Sequence, residues 1–163
     1  MALVFDRRRT PRLLVLPALF DEANKLRRQI VEIMHRLDLS GVDSFLPDFA
    51  GCNESTAPLE TQTLESWRSA AQAAVAEFGA THVLAIRAGC LLTPPGLPGW
   101  RYAPTTGAKV LRNLLRARTI AAREAGGSET IEELSAAARM HGIELAGWNF
   151  GAAMFSSLEK AVA

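Results

Sequence analysis

Cysteine and histidine are scarce in this chain, and neither sign of charge is in surplus. Two cysteines, Cys52 and Cys90, and three histidines occur among 163 residues. Two cysteines are too few to read as a disulfide framework. No His, Cys or Asp grouping has the spacing of a metal site, so no metal and no other cofactor is expected. Lysine and arginine number 18 against 17 acids, a formal net charge of +1. That balance gives no global field to attract nucleic acid or an anionic membrane. Long apolar runs are missing too. None approaches the roughly 18–20 residues of a membrane span, and no transmembrane segment or signal peptide is expected. A cytoplasmic protein is the default. What is present is ordinary for a globular chain, with 48% hydrophobic and 21% charged residues. The length suits one domain over residues 1–163 with a real core.

Residues 1–11 are short and basic at Arg7, Arg8 and Arg9, and read as a solvated, partly ordered terminus. Leu13-Leu14-Val15-Leu16 is a continuous apolar run, as expected of a strand buried on both faces, and Pro17 ends it. Residues 24–38 read as an amphipathic helix, with Leu26, Ile30, Ile33, Met34 and Leu37 on one side. Val42 to Leu46 is a second strand, followed by a loop over 49–62. Thr63 is a plausible N-cap and Gly79 a C-terminal stop for a helix whose stripe is Trp67, Ala70, Ala71, Ala74, Val75 and Phe78. His82 to Ile86 is a third strand. Strands alternating with helices argue for a parallel sheet with right-handed crossovers. Prolines and glycines then punctuate residues 94–104, with Trp100-Arg101-Tyr102 as a short fourth strand. A helix follows over 107–124. Thr130 with Glu133 forms a capping box for another over 130–140. Ile143 to Ala146 reads as a last strand and 151–161 as a terminal helix. The fold class expected is α/β, a three-layer α/β/α sandwich with a mainly parallel sheet.

The third strand runs into Leu84-Ala85-Ile86-Arg87-Ala88-Gly89, a small-residue turn. An α/β-hydrolase places its nucleophile elbow, G-x-S-x-G, at such a turn. Here Ala85 stands at the first glycine, Gly89 at the last, and Arg87 at the serine. A guanidinium stays protonated and cannot attack a carbonyl. Two further stretches are Leu16-Pro17-Ala18-Leu19-Phe20-Asp21-Glu22-Ala23-Asn24-Lys25 with Arg27-Arg28, and Leu46-Pro47-Asp48-Phe49-Ala50-Gly51-Cys52-Asn53-Glu54-Ser55. The latter is similar to the P-D-x-x-G-x-G-x-S stretch that follows a central strand in many α/β-hydrolases. In this order the three stretches resemble the second of the two exosortase-A-system-associated hydrolase families of bacteria, which also tend to carry arginine at the elbow. The resemblance implies a hydrolase-like domain encoded near exopolysaccharide and protein-sorting systems. The chain departs from the pattern in its length. Only Cys90-Leu91-Leu92 separates Gly89 from Thr93-Pro94-Pro95, and the segment that would carry a triad acid and histidine is shrunken or absent.

A Ser-His-acid triad needs a serine on the elbow, then an acid, then a histidine. Serine is missing at 87. His82 precedes the strand, His35 lies on a polar helix face, and His141 marks a helix end, so no catalytic residue is assigned. Cys90 reads as buried and inert, and Cys52 has no histidine near it in sequence. Arg87 is the sharpest candidate. Displayed at the C-terminal edge of the sheet beside the N–H groups of Ala88, Gly89 and the following helix, it would make an anion site. Asp21, Glu22, Asn24 and Lys25 lie beside it, with Asp48 near. The alternative is that Arg87 pairs with Asp21, Glu22 or Asp48 and fills a vestigial site, since a guanidinium so placed needs a partner.

Lys109, Arg112, Arg116 and Arg123 mark one face of the 107–124 helix, with no acid from 101 to 123. Either Glu129, Glu132 and Glu133 balance this face, or it docks an acidic partner or anionic headgroups. Nucleic acid is not expected, because aromatics do not interleave with the basic residues. The leading functional expectation is a hydrolase-like, non-catalytic protein (a pseudoenzyme) that binds an anionic small molecule or a protein partner. The alternative is an enzyme on ester or acyl substrates using an unconventional site around Arg87 and the 17–25 loop. A shortened sheet has bare edges, and a homodimer would cover them.

Overall fold

A computed structural model describes all 163 residues. Seven strands and five α-helices alternate along the chain: β1 Ala2–Phe5, β2 Arg12–Leu16, α1 Asp21–Leu39, β3 Asp43–Pro47, α2 Leu64–Phe78, β4 His82–Ile86, β5 Gly99–Tyr102, α3 Gly107–Glu124, α4 Ile131–His141, β6 Ile143–Leu145, β7 Trp148–Phe150 and α5 Ala152–Lys160. Short 3-10 turns cover Leu59–Thr61 and Arg87–Leu92. The main sheet has five strands in the order β1-β3-β2-β4-β5. Strands β3, β2, β4 and β5 are mutually parallel, while β1 lies antiparallel on the β3 edge.

The period of two along β2 divides the core. Leu13 and Val15 face α1 and pack with Ile30, Met34, Leu46 and Ile86. Leu14 and Leu16 face the opposite layer, where Trp67 and Ala71 of α2, Leu111 of α3 and Phe155 of α5 meet in the larger cluster. The result is three layers with helices on both faces of the sheet. Helix α2 carries the expected cap at Thr63, whose hydroxyl accepts from the Ser66 N–H, and ends at Gly79 in the left-handed conformation. The Thr130–Glu133 capping box also forms.

Two expectations are corrected. Residues 1–11 are not a solvated tail. Ala2–Phe5 pair with Ser44–Pro47. Two of the three arginines that suggested a solvated end, Arg7 and Arg9, are tied down by buried carboxylates, whereas the Arg8 side chain stays exposed. Asp43, fully buried, accepts from Arg9 Nε at 2.7 Å, from the Arg9 N–H at 2.7 Å and from Arg12 Nη1 at 3.3 Å. Arg7 and Arg9 also hold Asp38. The strand over 143–146, in turn, is not the last. It stops at Leu145 and turns back through Ala146 (φ 51°) and Gly147 (φ 80°) into β7, a two-stranded hairpin apart from the main sheet. Paired positive φ angles make a tight turn that matches strand twist.

Candidate functional site

The turn after β4 is strained as an elbow would be. Arg87 holds φ 54°, a conformation that side chains rarely adopt outside glycine, asparagine and aspartate. The turn also needs its glycine. A Cβ on Gly89 would lie 2.2 Å from the Pro17 carbonyl oxygen and 2.5 Å from that of Leu16, so only hydrogen lets the turn press onto the end of β2. Ala88, Gly89 and Cys90 are buried beneath the turn, and the Cys90 Sγ–H donates to the Ala85 carbonyl at 3.4 Å. Burial raises the Cys90 thiol above its ordinary range. The 3-10 turn is only six residues long, so the expected helix N-terminus is not built behind Arg87.

Arg87 instead sends its side chain into a cavity of about 310 Å³. Asp21, Glu22 and Lys25 from the start of α1 line one wall, and Thr105, Val110, Asn113, Leu114 and Ala117 from the α3 side line the other. Leu19, Phe20 and Ala146 complete it. Arg87 Nε donates to Glu22 Oε1 at 2.8 Å, and Nη1 donates to the Ala103 carbonyl at 3.1 Å. Lys25 Nζ lies 2.6 Å from Asp21 Oδ2, and this contact raises the lysine pKa. The wall is therefore charge-balanced, two cations against two carboxylates. Thr105 is 7% exposed overall, and its hydroxyl, which makes no hydrogen bond within the chain, is open to the cavity; the buried side-chain oxygen without a partner is Ser44 Oγ, in the core of β3. No histidine lines the cavity.

Backbone strain gathers around the same space. Six non-glycine residues hold positive φ: Arg8, Phe20, Asn53, Arg87, Ala103 and Ala146. Three of them line the cavity, and a fourth, Ala103, accepts from Arg87. Phe20, at φ 57° and ψ −134°, precedes α1 with no side-chain cap and is almost fully buried against Trp67 and Phe150. Ala146 is explained by its hairpin. Phe20, Arg87 and Ala103 are held by packing and hydrogen bonds. Such positions cost of order 1–3 kcal/mol each and persist only where the surroundings over-determine them.

The expected site residues are thus divided. Asp21, Glu22, Lys25 and Arg87 converge on the cavity, whereas Ala88 and Gly89 shape the turn from below. Asn24 is exposed on α1 and does not line it. Asp48 belongs elsewhere, accepting from Asn53 Nδ2 at 2.7 Å with Arg27 at 3.8 Å. Cys52 sits near Asp48, and burial, aided by that carboxylate, pushes its thiol up to about 12. The α3 residues were missed, since nothing in the sequence says which flank of that helix meets α1.

The chain matches no family model and no curated protein. Solved structures similar to it include a candidate hydrolase from Agrobacterium vitis S4, at 17% identity and TM-score 0.49, over 74% of this chain and 53% of that one. Another is Est1E from Butyrivibrio proteoclasticus with ferulic acid bound, at 15% identity and TM-score 0.49, over 98% of this chain and 66% of that one. The chain spans between about half and two-thirds of the length of these structures. At this strength neither likeness bears on chemistry. The mixed α/β architecture, with its mainly parallel central sheet, is consistent with a shortened α/β-hydrolase-like fold on the strand order itself.

Proposed function

We propose that residues 1–163 form one hydrolase-like domain that binds a small molecule in the Arg87 cavity without turning it over. The resemblance of its three loop stretches to the exosortase-associated hydrolases places it with a bacterial exopolysaccharide-linked system in this reading. The observation that carries the proposal is the clustering of strained backbone at Phe20, Arg87 and Ala103 around one cavity. Strain is kept where a fixed geometry is used. Arginine at the elbow presents a permanent charge and two parallel donor edges where a nucleophile would sit. Glu22 and the Ala103 carbonyl occupy Nε and Nη1, and no partner within the chain takes Nη2. A ligand with one carboxylate or phosphate meets Arg87 there, and its hydroxyl or amide groups meet Thr105 and Asn113. Pairing of two copies along the bare edge of β5, whose four residues are all exposed, is the assembly this reading carries.

A thermal-shift screen with phosphorylated, carboxylated and acyl compounds tests it. A ligand selective for the native state raises the melting temperature by mass action. The expected result is an anionic hit that Arg87→Ala abolishes and Glu22→Gln strengthens, because the internal carboxylate no longer competes. Absence of any hit, or a hit indifferent to Arg87→Ala, overturns the assignment. Ester turnover lost in Arg87→Ala would replace binding with catalysis.

A further inference from the structure

Helix α3 carries a second feature that the cavity does not use. Lys109, Arg112, Arg116 and Arg123 are all exposed. At 100° and 1.5 Å per residue they fall within about 60° of arc and extend along about 21 Å of the helix. None of the four takes part in an ion pair, although Arg118 of the same helix holds Glu129 at 2.8 Å. Two of the three carboxylates expected to balance the stripe are committed elsewhere, and the third, Glu132, is exposed and forms an ion pair with none of the four cations. Glu129 is taken by Arg118, and Glu133 accepts from the Thr130 backbone and hydroxyl. Residues 101–123 contain no Asp or Glu, so the neutral whole conceals a segregated basic face.

The shape of this face narrows what fits it. The cations stand in single file, with Ile120, 57% exposed, between Arg116 and Arg123. Asn113, Ala117 and Ala121, all exposed and short, make a shelf along one side of the row, and the first two also line the rim of the Arg87 cavity. A ridge of charge beside a shelf of small side chains receives a linear partner. A lipid surface, being planar, is met by a two-dimensional patch. Three of the four cations are arginines, whose forked donors suit carboxylates and phosphates alike, so the single-file shape of the row is what favours a linear partner.

We propose that the outer face of α3 docks an acidic polypeptide segment. Its carboxylates pair with Lys109, Arg112, Arg116 and Arg123, and an apolar side chain rests on Ile120. The four cations lie outside the Arg87 cavity, so the charge of this face is tested separately from that site, although the shelf borders it. A fluorescently labelled glutamate-rich peptide of about 15 residues, which spans the stripe as a helix, serves as the probe. Phosphatidylcholine vesicles with about 30% phosphatidylserine serve as the competing anionic surface. The expected result is saturable peptide binding at about 50 mM NaCl that weakens about tenfold or more by about 300 mM, as screening requires. Arg112→Glu with Arg116→Glu abolishes it. Arg116→Gln with Arg123→Gln weakens it several-fold, and this gentler pair keeps the test decisive if charge reversal disturbs the helix. Arg28→Gln on α1 leaves it unchanged. Absence of peptide binding at low salt, equal loss with Arg28→Gln, or binding to vesicles without binding to peptide overturns the proposal.

Discussion

Replacing Asp43 by Asn tests how the N-terminal strand is held. The Asp43 side chain is fully buried at the start of β3. One carboxylate oxygen accepts from Arg9 Nε at 2.7 Å. The other accepts from the Arg9 N–H at 2.7 Å, the Arg7 N–H at 3.2 Å and Arg12 Nη1 at 3.3 Å. Asparagine retains one acceptor and turns the second into a donor that faces donors. Removing one partner of a buried ion pair costs about 3–5 kcal/mol. The arginines here are still 25% and 20% exposed, and Arg9 keeps Asp38. The low end, about 3 kcal/mol, therefore applies. With a urea m value of about 2–3 kcal/mol/M, the unfolding midpoint should fall by about 1–1.5 M. Tryptophan fluorescence reports the transition, and limited proteolysis at Arg7–Arg9 reports release of β1. A midpoint within about 0.3 M of wild type, inside the usual extrapolation error, would refute the view that this carboxylate anchors the terminus.

Two further outcomes follow from the same geometry. Gly89→Ala forces a Cβ against two carbonyl oxygens that cannot rotate away, at 2.2 and 2.5 Å. Overpacking of about 1–3 kcal/mol should lower the melting temperature by roughly 5–10 °C, and an unchanged melt would show that the turn is not pressed on β2. Arg9 and Arg12 hold the carboxyls of Asp38 and Asp6, respectively, below their ordinary value of 3.8. Depressed carboxyl pKa values give stability that is complete above the unfolded value and is lost as pH falls through the folded one. Urea midpoints should therefore hold from neutral pH down to about 4 and fall steeply below it, and Arg9→Ala should flatten that fall. An equally steep acid limb in the variant would place the sensitivity elsewhere.

The sequence made the parallel strands and the helix ends legible, because their signals are local. Leu13–Leu16 is an unbroken apolar run, and Thr63 and Gly79 carry their own capping chemistry. What escaped depends on partners far away in the chain. Arg7 and Arg9 look solvated until Asp38 and Asp43, some thirty positions on, are seen to hold them. The hairpin turn at Ala146-Gly147 lacks the asparagine or aspartate that advertises such turns, and its strands are three residues long. In the site, the elbow identified Arg87, and the loop after β2 supplied Asp21, Glu22 and Lys25. Thr105, Val110, Asn113, Leu114 and Ala117 are unremarkable in sequence. They become a wall only because Leu111, Leu115 and Gly107 seat α3 against the core and turn its next flank toward α1.

Arg87 alters what a strand-to-helix turn of this kind delivers. A short side chain on such a turn places one reactive atom over the sheet edge. Arginine projects a delocalised charge several bonds further, across the opening to Glu22 at 2.8 Å and the Ala103 carbonyl at 3.1 Å. Glu22 pairs a guanidinium that is partly withdrawn from water, 29% exposed, and that would be costly to leave unpaired. It also sets the terms for any ligand. An anion that only replaces Glu22 exchanges one ion pair for another and gains little. A molecule that keeps the Arg87–Glu22 pair, takes the remaining guanidinium edge and bonds the Thr105 hydroxyl at the cavity wall gains contacts without that exchange. If the cavity binds as proposed, it should favour polar ligands with one anionic group and a neutral hydrogen-bonding flank. Simple inorganic anions carry no such flank, and Glu22→Gln should improve their binding far more than it improves that of the fitting ligand.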